Sequence, residues 1–396
     1  MAKKIVVTFI LAFAIIGLMN FKVSDIWGFY VHRLINQKAI YLLPIDLIPT
    51  FKLNLEELRH FAIAPDQRRY SSRHEAARHY IDLDHLGAPP FSNVSRKYND
   101  AVWHFSDVYF TSDFSHDTLF IKENLTLLNK GLKDSLLILF HKSIRYSDNS
   151  LDVSLTEEEI DEHIDLSKFS TLKNFTNLHF INHLDEFGIL PYHLLEYQNR
   201  LKWAFLSKNI PNIIRIAGEM GHYIGDAHVP LHTTENYNGQ LTGQDGIHAF
   251  WETRIPELFA ISDYDFWVEP AEYIENKSDY FWNIVLKSHD YVDDVLTLEI
   301  ELRDKFPKDN QYCFNERLGV TKRTECKAYA EAYQTALNGM VEERMRDAIT
   351  AIGSSWYTAW VDAGSPTLTP TKIVFQEEPA PNPLDSTNLR PRIHNR

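Results

Sequence analysis

Apolar residues return every three or four positions along much of this chain, which is the spacing that predicts amphipathic helices. The pattern is clear over residues 194–207, 212–227 and 328–360, and Pro211 stands where proline is tolerated, at the start of the second run. No series of alternating apolar and polar positions, the pattern of half-buried strands, stands out. The chain is therefore predicted to be all-α, a single multi-helix domain with long irregular connections.

The two ends differ in composition from the middle. Lys3 and Lys4 precede an apolar run over residues 5–19, which has the layout of a secretory signal and is too short for a comfortable membrane span. No good small-x-small cleavage site follows, so an uncleaved membrane anchor is the alternative. Residues 1–24 are assigned to the signal peptide or anchor, residues 25–364 to the helical domain and the proline-rich residues 365–396 to a disordered tail.

Charge and cysteine content narrow the classes of function. A formal net charge of -14 argues against a protein that grips nucleic acid through a broad basic face, although it leaves room for a phosphate ester held by metal ions. The two cysteines, Cys313 and Cys326, lie in a polar stretch outside any C-x-x-C metal pattern. They form either one loop-closing disulfide in an oxidising compartment or two unpaired thiols.

The stretch GHYIGDAHVPLH, residues 221–232, carries the first candidate chemistry. His222 and Asp226 lie four residues apart on a strongly helical segment, so both side chains project from one face. His248 and Glu252 repeat that spacing, and His232 follows Pro230 in the turn between the two pairs. Imidazole and carboxylate ligands without a thiolate are typical of catalytic zinc. A metal site is predicted here, with His228 as a non-ligand that either has a structural role or supports a ligand.

Further candidate ligands lie upstream. His32 follows Trp27 by five residues, Asp66 lies in IAPDQRRY, and His79 lies in ARHYIDLDH. In the last stretch Asp82 and Asp84 either orient ligating imidazoles or cap the next segment. The neighbouring arginines, which are Arg68, Arg69, Arg73 and Arg78, either steer an anionic phosphate ester or pair with the excess acid of the chain.

The order W-x4-H, P-D, H-Y-I-D, H-x3-D-x5-H and H-x3-E resembles the superfamily that joins bacterial zinc-dependent phospholipases C with fungal single-strand-specific zinc nucleases. The resemblance spans residues 27 to about 259. It implies a predominantly helical fold with three zinc ions in a cleft. Carried over residue by residue, it implies a first zinc held by Asp66, His79, His222 and Asp226, a second held by His232, His248 and Glu252, and a third held by Asp226, His32 and the backbone amino and carbonyl groups of Trp27.

Two features depart from the family pattern. Ile26, which precedes Trp27, is a poor signal-peptidase substrate, so the Trp27 amine need not become free; water or another side chain could replace it, or only two ions could be firmly held. The last ligand, Glu252, resembles the phospholipases, whereas the short spacing from Trp27 to His32 looks more like the nucleases. Glu252 and the acidic charge together favour the phospholipase-like branch.

The expected function is that of an exported zinc-dependent phosphodiesterase, located in the periplasm, outside the cell or on a membrane. A cluster of divalent ions supplies a nucleophilic water near neutral pH and offsets charge on the phosphoryl oxygens. Asp66 is the candidate proton acceptor, and Asp226 bridges the ions. The expected substrate is a phospholipid head group met at a membrane surface; the alternatives are single-stranded nucleic acid or, in another class, a noncatalytic surface protein stabilised by zinc.

Overall fold

A computed structural model describes residues 29–374 of the chain, apart from residues 70–71, 73, 114–117, 122–129, 144–151, 162–163, 166–171, 173 and 318–319. Trp27, the predicted leader over residues 1–24 and most of the predicted tail lie outside the described residues. Among the residues that are described, no helix is both long and apolar enough to cross a bilayer.

Helices dominate the described chain, so the predicted helical class is confirmed in its coarse form. The helices are α1 (Phe29–Ala39), α2 (Ile48–Leu53), α3 (Leu55–Phe61), α4 (Ala64–Arg68), α5 (Tyr98–Phe105), α6 (Lys130–Ser143), α7 (Glu157–Asp161), α8 (Leu184–Phe187), α9 (Leu190–Leu206), α10 (Ile210–Ala227), α11 (Ile247–Ala249), α12 (Ile255–Phe259), α13 (Lys277–His289), α14 (Val292–Lys305), α15 (Lys327–Ala336) and α16 (Met340–Asp362).

The prediction of an all-α chain is wrong for two regions. An antiparallel sheet with the order β2–β1–β4–β3 is inserted between α5 and α8, and a separate hairpin precedes α15. The strands are β1 (Ser106–Thr111), β2 (Thr118–Phe120), β3 (Asp152–Thr156), β4 (Asn177–Asn182), β5 (Tyr312–Arg317) and β6 (Val320–Glu325).

An outward-facing aromatic residue hid the first strand of the sheet from the sequence analysis. In β1, Val108 and Phe110 face the core, but Tyr109 between them is also apolar and stacks on His179 of β4 with ring centroids 4.8 Å apart. The strand therefore reads as one short apolar run rather than as an alternation. Such runs cannot be told from helix by periodicity alone.

Helix α10 runs through the centre of the molecule and packs against α1, α3, α9 and α16. Asn209 caps its start by accepting a hydrogen bond from the Asn212 amide at 3.0 Å, and Pro211 lies in the first turn, as the sequence predicted. The helix is buried over nearly its whole length, so ligands placed on it have a fixed backbone.

Two glycines of α10 allow α1 to approach closely. A Cβ atom at Gly225 would lie 2.8 Å from His32 Nδ1, and one at Gly221 would lie 2.0 Å from Asn36 Oδ1. Both positions exclude a larger side chain unless α1 moves. The two glycines thereby bring His32 against the α10 face that carries His222 and Asp226.

The apolar run over residues 328–360 forms two helices rather than one. Asn338 and Gly339 adopt φ values of 48° and 83°, which lie in the left-handed region and end α15. Asn and Gly are the residues that tolerate this conformation, and they commonly terminate helices for that reason.

The cysteine pair and the C-terminal segment complete the described fold. Cys313 and Cys326 are joined by a disulfide, which decides between the two alternatives left open by the sequence. Beyond Gly364 the chain continues along α2 and α3, where the Asn54 side chain donates to the Thr371 carbonyl at 2.9 Å and accepts from the Ile373 amide at 2.8 Å. Disorder of the predicted tail stays a prediction for residues 375–396, which lie outside the described part.

Candidate metal centre

Eight of the nine predicted ligands meet at one place in the molecule; the ninth, Trp27, lies outside the described residues. They come from helices, turns and loops that are far apart in sequence. The eight are His32 on α1, Asp66 on α4, His79 after the turn at Ala76–Arg78, His222 and Asp226 on α10, His232 in the turn at Pro230–Thr233, His248 on α11, and Glu252 in the following π-helical turn at Phe250–Arg254. A π-turn widens a helix locally and is common at functional sites.

The first donor group lies on the α10 side of the centre. Asp226 Oδ2 is 2.8 Å from His79 Nδ1 and 3.3 Å from His222 Nε2, and the two imidazole nitrogens are 3.2 Å apart. Asp66 Oδ1 lies slightly farther away, at 3.9 Å from His79 Nδ1 and 3.8 Å from His222 Nε2. These are the four side chains that the resemblance assigns to the first ion.

The second donor group surrounds Glu252. Its Oε2 atom is 2.8 Å from His248 Nε2 and 3.6 Å from His232 Nε2. The backbone carbonyl of His232 accepts a hydrogen bond from the Ile81 amide at 2.9 Å, which ties this turn to the segment that carries His79. The resemblance assigns the same three side chains to the second ion.

His32 lies between the two groups. Its Nε2 atom is 3.4 Å from Asp226 Oδ1 and 3.3 Å from Glu252 Oε1. Asp226 and Glu252 therefore each direct one oxygen toward His32 and the other toward a different pair of imidazoles. This arrangement gives each carboxylate the position of a bridge, a role that the sequence analysis expected for Asp226 alone.

The spacing of the donor atoms tests whether metal ions fit. Ligand atoms about 2.1 Å from a tetrahedral zinc ion lie about 3.4 Å from one another. The contacts of His32 with Asp226 and Glu252, at 3.4 and 3.3 Å, and that of His222 with Asp226, at 3.3 Å, match this value, whereas the two 2.8 Å contacts have the length of hydrogen bonds. The residues fit bound cations with small adjustments, so the coarse prediction of a metal-binding group agrees with the structure.

Backbone carbonyls fix the orientation of two imidazoles. His222 Nδ1 lies 2.9 Å from the Ala62 carbonyl, and His248 Nδ1 lies 3.2 Å from the Tyr237 carbonyl. A proton on each Nδ1 can be donated to these oxygens, which leaves each Nε2 lone pair directed into the centre. The Gly- and Asn-rich connection before His248 is braced by hydrogen bonds such as that from the Leu241 amide to Asn236 Oδ1 at 2.8 Å.

The electrostatic field of the centre favours cations. Burial by itself raises the pKa of the Asp226 carboxyl, but the His222 and His232 imidazoles outweigh burial and hold this pKa well below its ordinary value. Burial lowers the pKa of the His32 imidazole, yet Glu252 and Asp226 together raise that pKa to about 9. Ionised carboxylates that are buried in this way stabilise positive charge in their midst, whether on protons or on metal ions.

Two side chains of the centre are partly exposed. Asp66 and His248 keep 21% and 22% of their side-chain surface exposed, whereas His222 keeps none. Arg69 lies beside Asp66, with Nη1 3.7 Å from Asp66 Oδ1 and 43% of its side chain exposed. A positive charge therefore lies next to a solvent-accessible carboxylate of the centre.

The remaining candidates have structural roles. His228 Nδ1 lies 2.7 Å from the Ile224 carbonyl, and burial holds the pKa of this imidazole well below its ordinary value, as befits a neutral core residue. Asp84 accepts a hydrogen bond from the Glu235 amide at 2.7 Å, so its carboxylate braces a loop remote in sequence, which is neither of the two roles that the sequence left open. Arg68 and Arg78 pair with buried acids rather than pointing into the cleft, and Arg73 lies outside the described residues.

Sequence reasoning missed Glu75. This carboxylate is 1% exposed, and its Oε1 atom lies 3.7 Å from His79 Nε2, on the side of the ring that faces away from the other ligands. The spacing E-x3-H that links it to His79 was visible in the sequence. It did not stand out because nothing in the sequence shows that the short segment between them is helical.

No protein-family model matches this chain, and no curated protein matches its sequence.

Proposed function

We propose that this chain is an exported zinc-dependent phosphodiesterase of the phospholipase C type. The observation that carries the proposal is the meeting of five imidazoles and three carboxylates in one centre, where a partly exposed carboxylate lies beside an arginine. Structural zinc sites are usually closed, four-coordinate and rich in thiolates. Both cysteines of this chain are joined in a disulfide. A purely structural zinc site is therefore the weaker explanation.

The donor groups support two or three ions, and we favour three. The first two groups supply complete sets of side chains, and His32 with one oxygen each from Asp226 and Glu252 supplies three donors for a third ion. Glu252 is thus available to the third ion whether or not the Trp27 amine is released by processing. Zinc is favoured as the metal because the donors are nitrogen and oxygen without sulfur.

Bound divalent ions would lower the pKa of a coordinated water and neutralise charge on a phosphoryl group. Side chains of the protein would attract the substrate and accept the proton. Arg69 attracts the phosphate anion, and its exposed guanidinium is free to exchange Asp66 for a phosphate oxygen. Asp66 is the partly exposed carboxylate best placed to accept a proton, whereas the buried Asp226 holds the ligand imidazoles together.

The choice of a phospholipid substrate rests on Glu252 in the last ligand position and on the acidic charge of the chain, which is unfavourable for binding a polyanion. Tyr237 lies beside a predicted ligand, with its ring centroid 5.9 Å from that of His248. Its ring is available to contact a head group or an acyl chain. Single-stranded nucleic acid is the alternative substrate of the same centre.

Hydrolysis assays test the proposal. Purified protein is tested on bis-p-nitrophenyl phosphate, phosphatidylcholine vesicles and single-stranded DNA, each before chelation, after chelation and after zinc is restored. We expect turnover of the generic ester and of the phospholipid that disappears with chelator and returns with zinc. Selective cleavage of DNA would move the function to the nuclease branch. A protein that binds zinc but cleaves none of the three substrates would refute the enzymatic proposal.

A further inference from the structure

We infer that Glu75 is a positioning residue for the metal centre, acting through His79 from a preformed network of buried charges. The inference rests on the proposed metal binding, but not on the identity of the substrate. Glu75 does not touch the substrate cleft, since its carboxylate lies behind the His79 ring. Its effect is on the orientation and basicity of that imidazole.

The two nitrogens of His79 face different surroundings. Nδ1 is within 4 Å of Asp66, His222 and Asp226, so this is the nitrogen available to an ion. A ring that offers its Nδ1 lone pair carries its proton on Nε2. Nε2 is fully buried and has no hydrogen-bond partner within normal length among the described residues, and Glu75 Oε1 lies 3.7 Å away. A shift of less than 1 Å would make Glu75 the acceptor of that proton.

The Glu75 carboxylate is held from the other sides. Arg78 Nη1 donates to its Oε2 atom at 2.9 Å, Arg68 Nε approaches the same oxygen at 3.4 Å, and the Tyr223 hydroxyl donates to Oε1. Donors therefore fix both oxygens of the carboxylate. A carboxylate that accepts from an imidazole orients the ring and makes its opposite nitrogen a better ligand.

The network extends to Glu219 on α10, which provides a matched control. Glu219 Oε1 accepts from Arg68 Nη1 at 2.8 Å, and its Oε2 accepts from the Tyr197 hydroxyl at 2.7 Å. Glu219 is 3% exposed and shares Arg68 with Glu75, yet its carboxylate contacts Arg68, Arg215 and Tyr197 rather than a proposed ligand. Glu75→Gln and Glu219→Gln thus remove the same charge from one buried network, but only the first alters a group beside His79.

The test compares the zinc affinity of the wild type, Glu75→Gln and Glu219→Gln by competition with a chromophoric chelator. Removal of a carboxylate that accepts from a ligating histidine typically weakens metal binding by about 10- to 100-fold. We expect a loss of that size in Glu75→Gln and a change of less than about threefold in Glu219→Gln, even though both variants lower the melting temperature. Imidazole nitrogen NMR of the zinc-loaded protein should show a shifted His79 Nε2–H resonance only in Glu75→Gln.

Equal affinities in the two variants, or wild-type affinity in Glu75→Gln, would overturn the inference. If Glu75→Gln does not fold, Glu75→Asp takes its place, because its shorter side chain keeps the charge but withdraws the carboxylate from His79 Nε2; wild-type zinc affinity in that variant would overturn the inference equally. A wild type that binds zinc without hydrolysing any phosphodiester would remove the proposed function and leave this comparison valid. A wild type that binds no zinc would remove both at the first measurement.

Discussion

Replacement of Gly225 by alanine should weaken zinc binding strongly while it lowers the free energy of unfolding only slightly. The added methyl group would lie 2.8 Å from His32 Nδ1 and 2.9 Å from Ile35 Cδ1. Ordinary contacts between such atoms begin near 3.4 Å, so the imidazole or the whole of α1 must move by about 0.6 Å. Metal–ligand distances tolerate only about 0.2 Å. The His32 Nε2 atom, now 3.4 Å from Asp226 Oδ1 and 3.3 Å from Glu252 Oε1, would leave its ligating position.

The effect on stability is the difference of two opposing contributions. Alanine in place of glycine inside a helix is favourable by about 1 kcal/mol. Overpacking of a filled core is unfavourable by about 1–3 kcal/mol. We therefore expect the free energy of unfolding of Gly225→Ala to be lower than that of the wild type by zero to about 2 kcal/mol. This is a modest change for a chain of this size.

Gly353→Ala is the control for this prediction. Gly353 lies on α16, and its methyl group would meet Leu42 Cβ at 3.1 Å, beyond the end of α1, without touching a ligand imidazole. The assay is zinc titration with a competing chelator at neutral pH, together with urea unfolding of each variant. We expect the third and weakest zinc equivalent to be lost in Gly225→Ala and retained in Gly353→Ala. Wild-type zinc stoichiometry and affinity in a folded Gly225→Ala protein would refute the argument that close helix approach positions His32.

Three further predictions follow from individual residues and from the metal. Asp226→Asn should lose bound zinc and phosphodiester hydrolysis together, because both oxygens of Asp226 face ligand imidazoles; full zinc content by elemental analysis would contradict its bridging role. Removal of metal with a chelator should lower the melting temperature, because each site saturated at 100 times its Kd contributes about 2.7 kcal/mol, and an unchanged melting temperature would argue against tight binding. Burial raises the pKa of Asp185 to about 6, so ionisation of this carboxyl makes the folded protein less stable as pH rises from about 4 to 6. The free energy of unfolding of Asp185→Asn should therefore exceed that of the wild type by up to about 3 kcal/mol at pH 7 and should differ little from it at pH 4. Its Oδ1 atom can still accept from Asn182 Nδ2 and the Tyr98 hydroxyl; urea unfolding of both proteins at the two pH values measures the difference, and a gain independent of pH would refute the assignment.

Contacts with the surrounding scaffold hold the ligands of the centre in place. His222 and Asp226 lie on a buried helix, and the carbonyl of Ala62 on one side and that of Tyr237 on the other orient two of the imidazoles. Ligand side chains that are already ordered lose little conformational entropy when a metal ion binds, so this entropy cost does not weaken the affinity for metal. The carboxylates carry the electrostatic attraction, and the raised pKa of His32 reports the strength of their field.

Local spacing along the chain determined the parts of the site that lie within one element. The pairs His222–Asp226 and His248–Glu252 could be predicted because a spacing of four residues brings two side chains together in any helix. The start of α10 near Pro211 could be predicted for a similar reason, since proline acts on its own turn of a helix. The first strand of the sheet could not be predicted in this way, because Tyr109 stacks outward on a strand remote in sequence and breaks the alternation that marks a strand. The short alternations of β3 and β4 are present in the sequence and were missed.

Distances between remote segments were decided only by the tertiary structure. That His32 lies beside α10 depends on how closely α1 packs against Gly221 and Gly225, and the sequence contains no measure of that distance. His79 is held there by other remote contacts, such as the hydrogen bond from the Ile81 amide to the His232 carbonyl. The second oxygen of Glu252 and the buried Glu75 carboxylate acquire their neighbours in the same way. Periodicity encodes which side chains share a face of one helix, whereas the volume and shape of the packed side chains decide which faces meet.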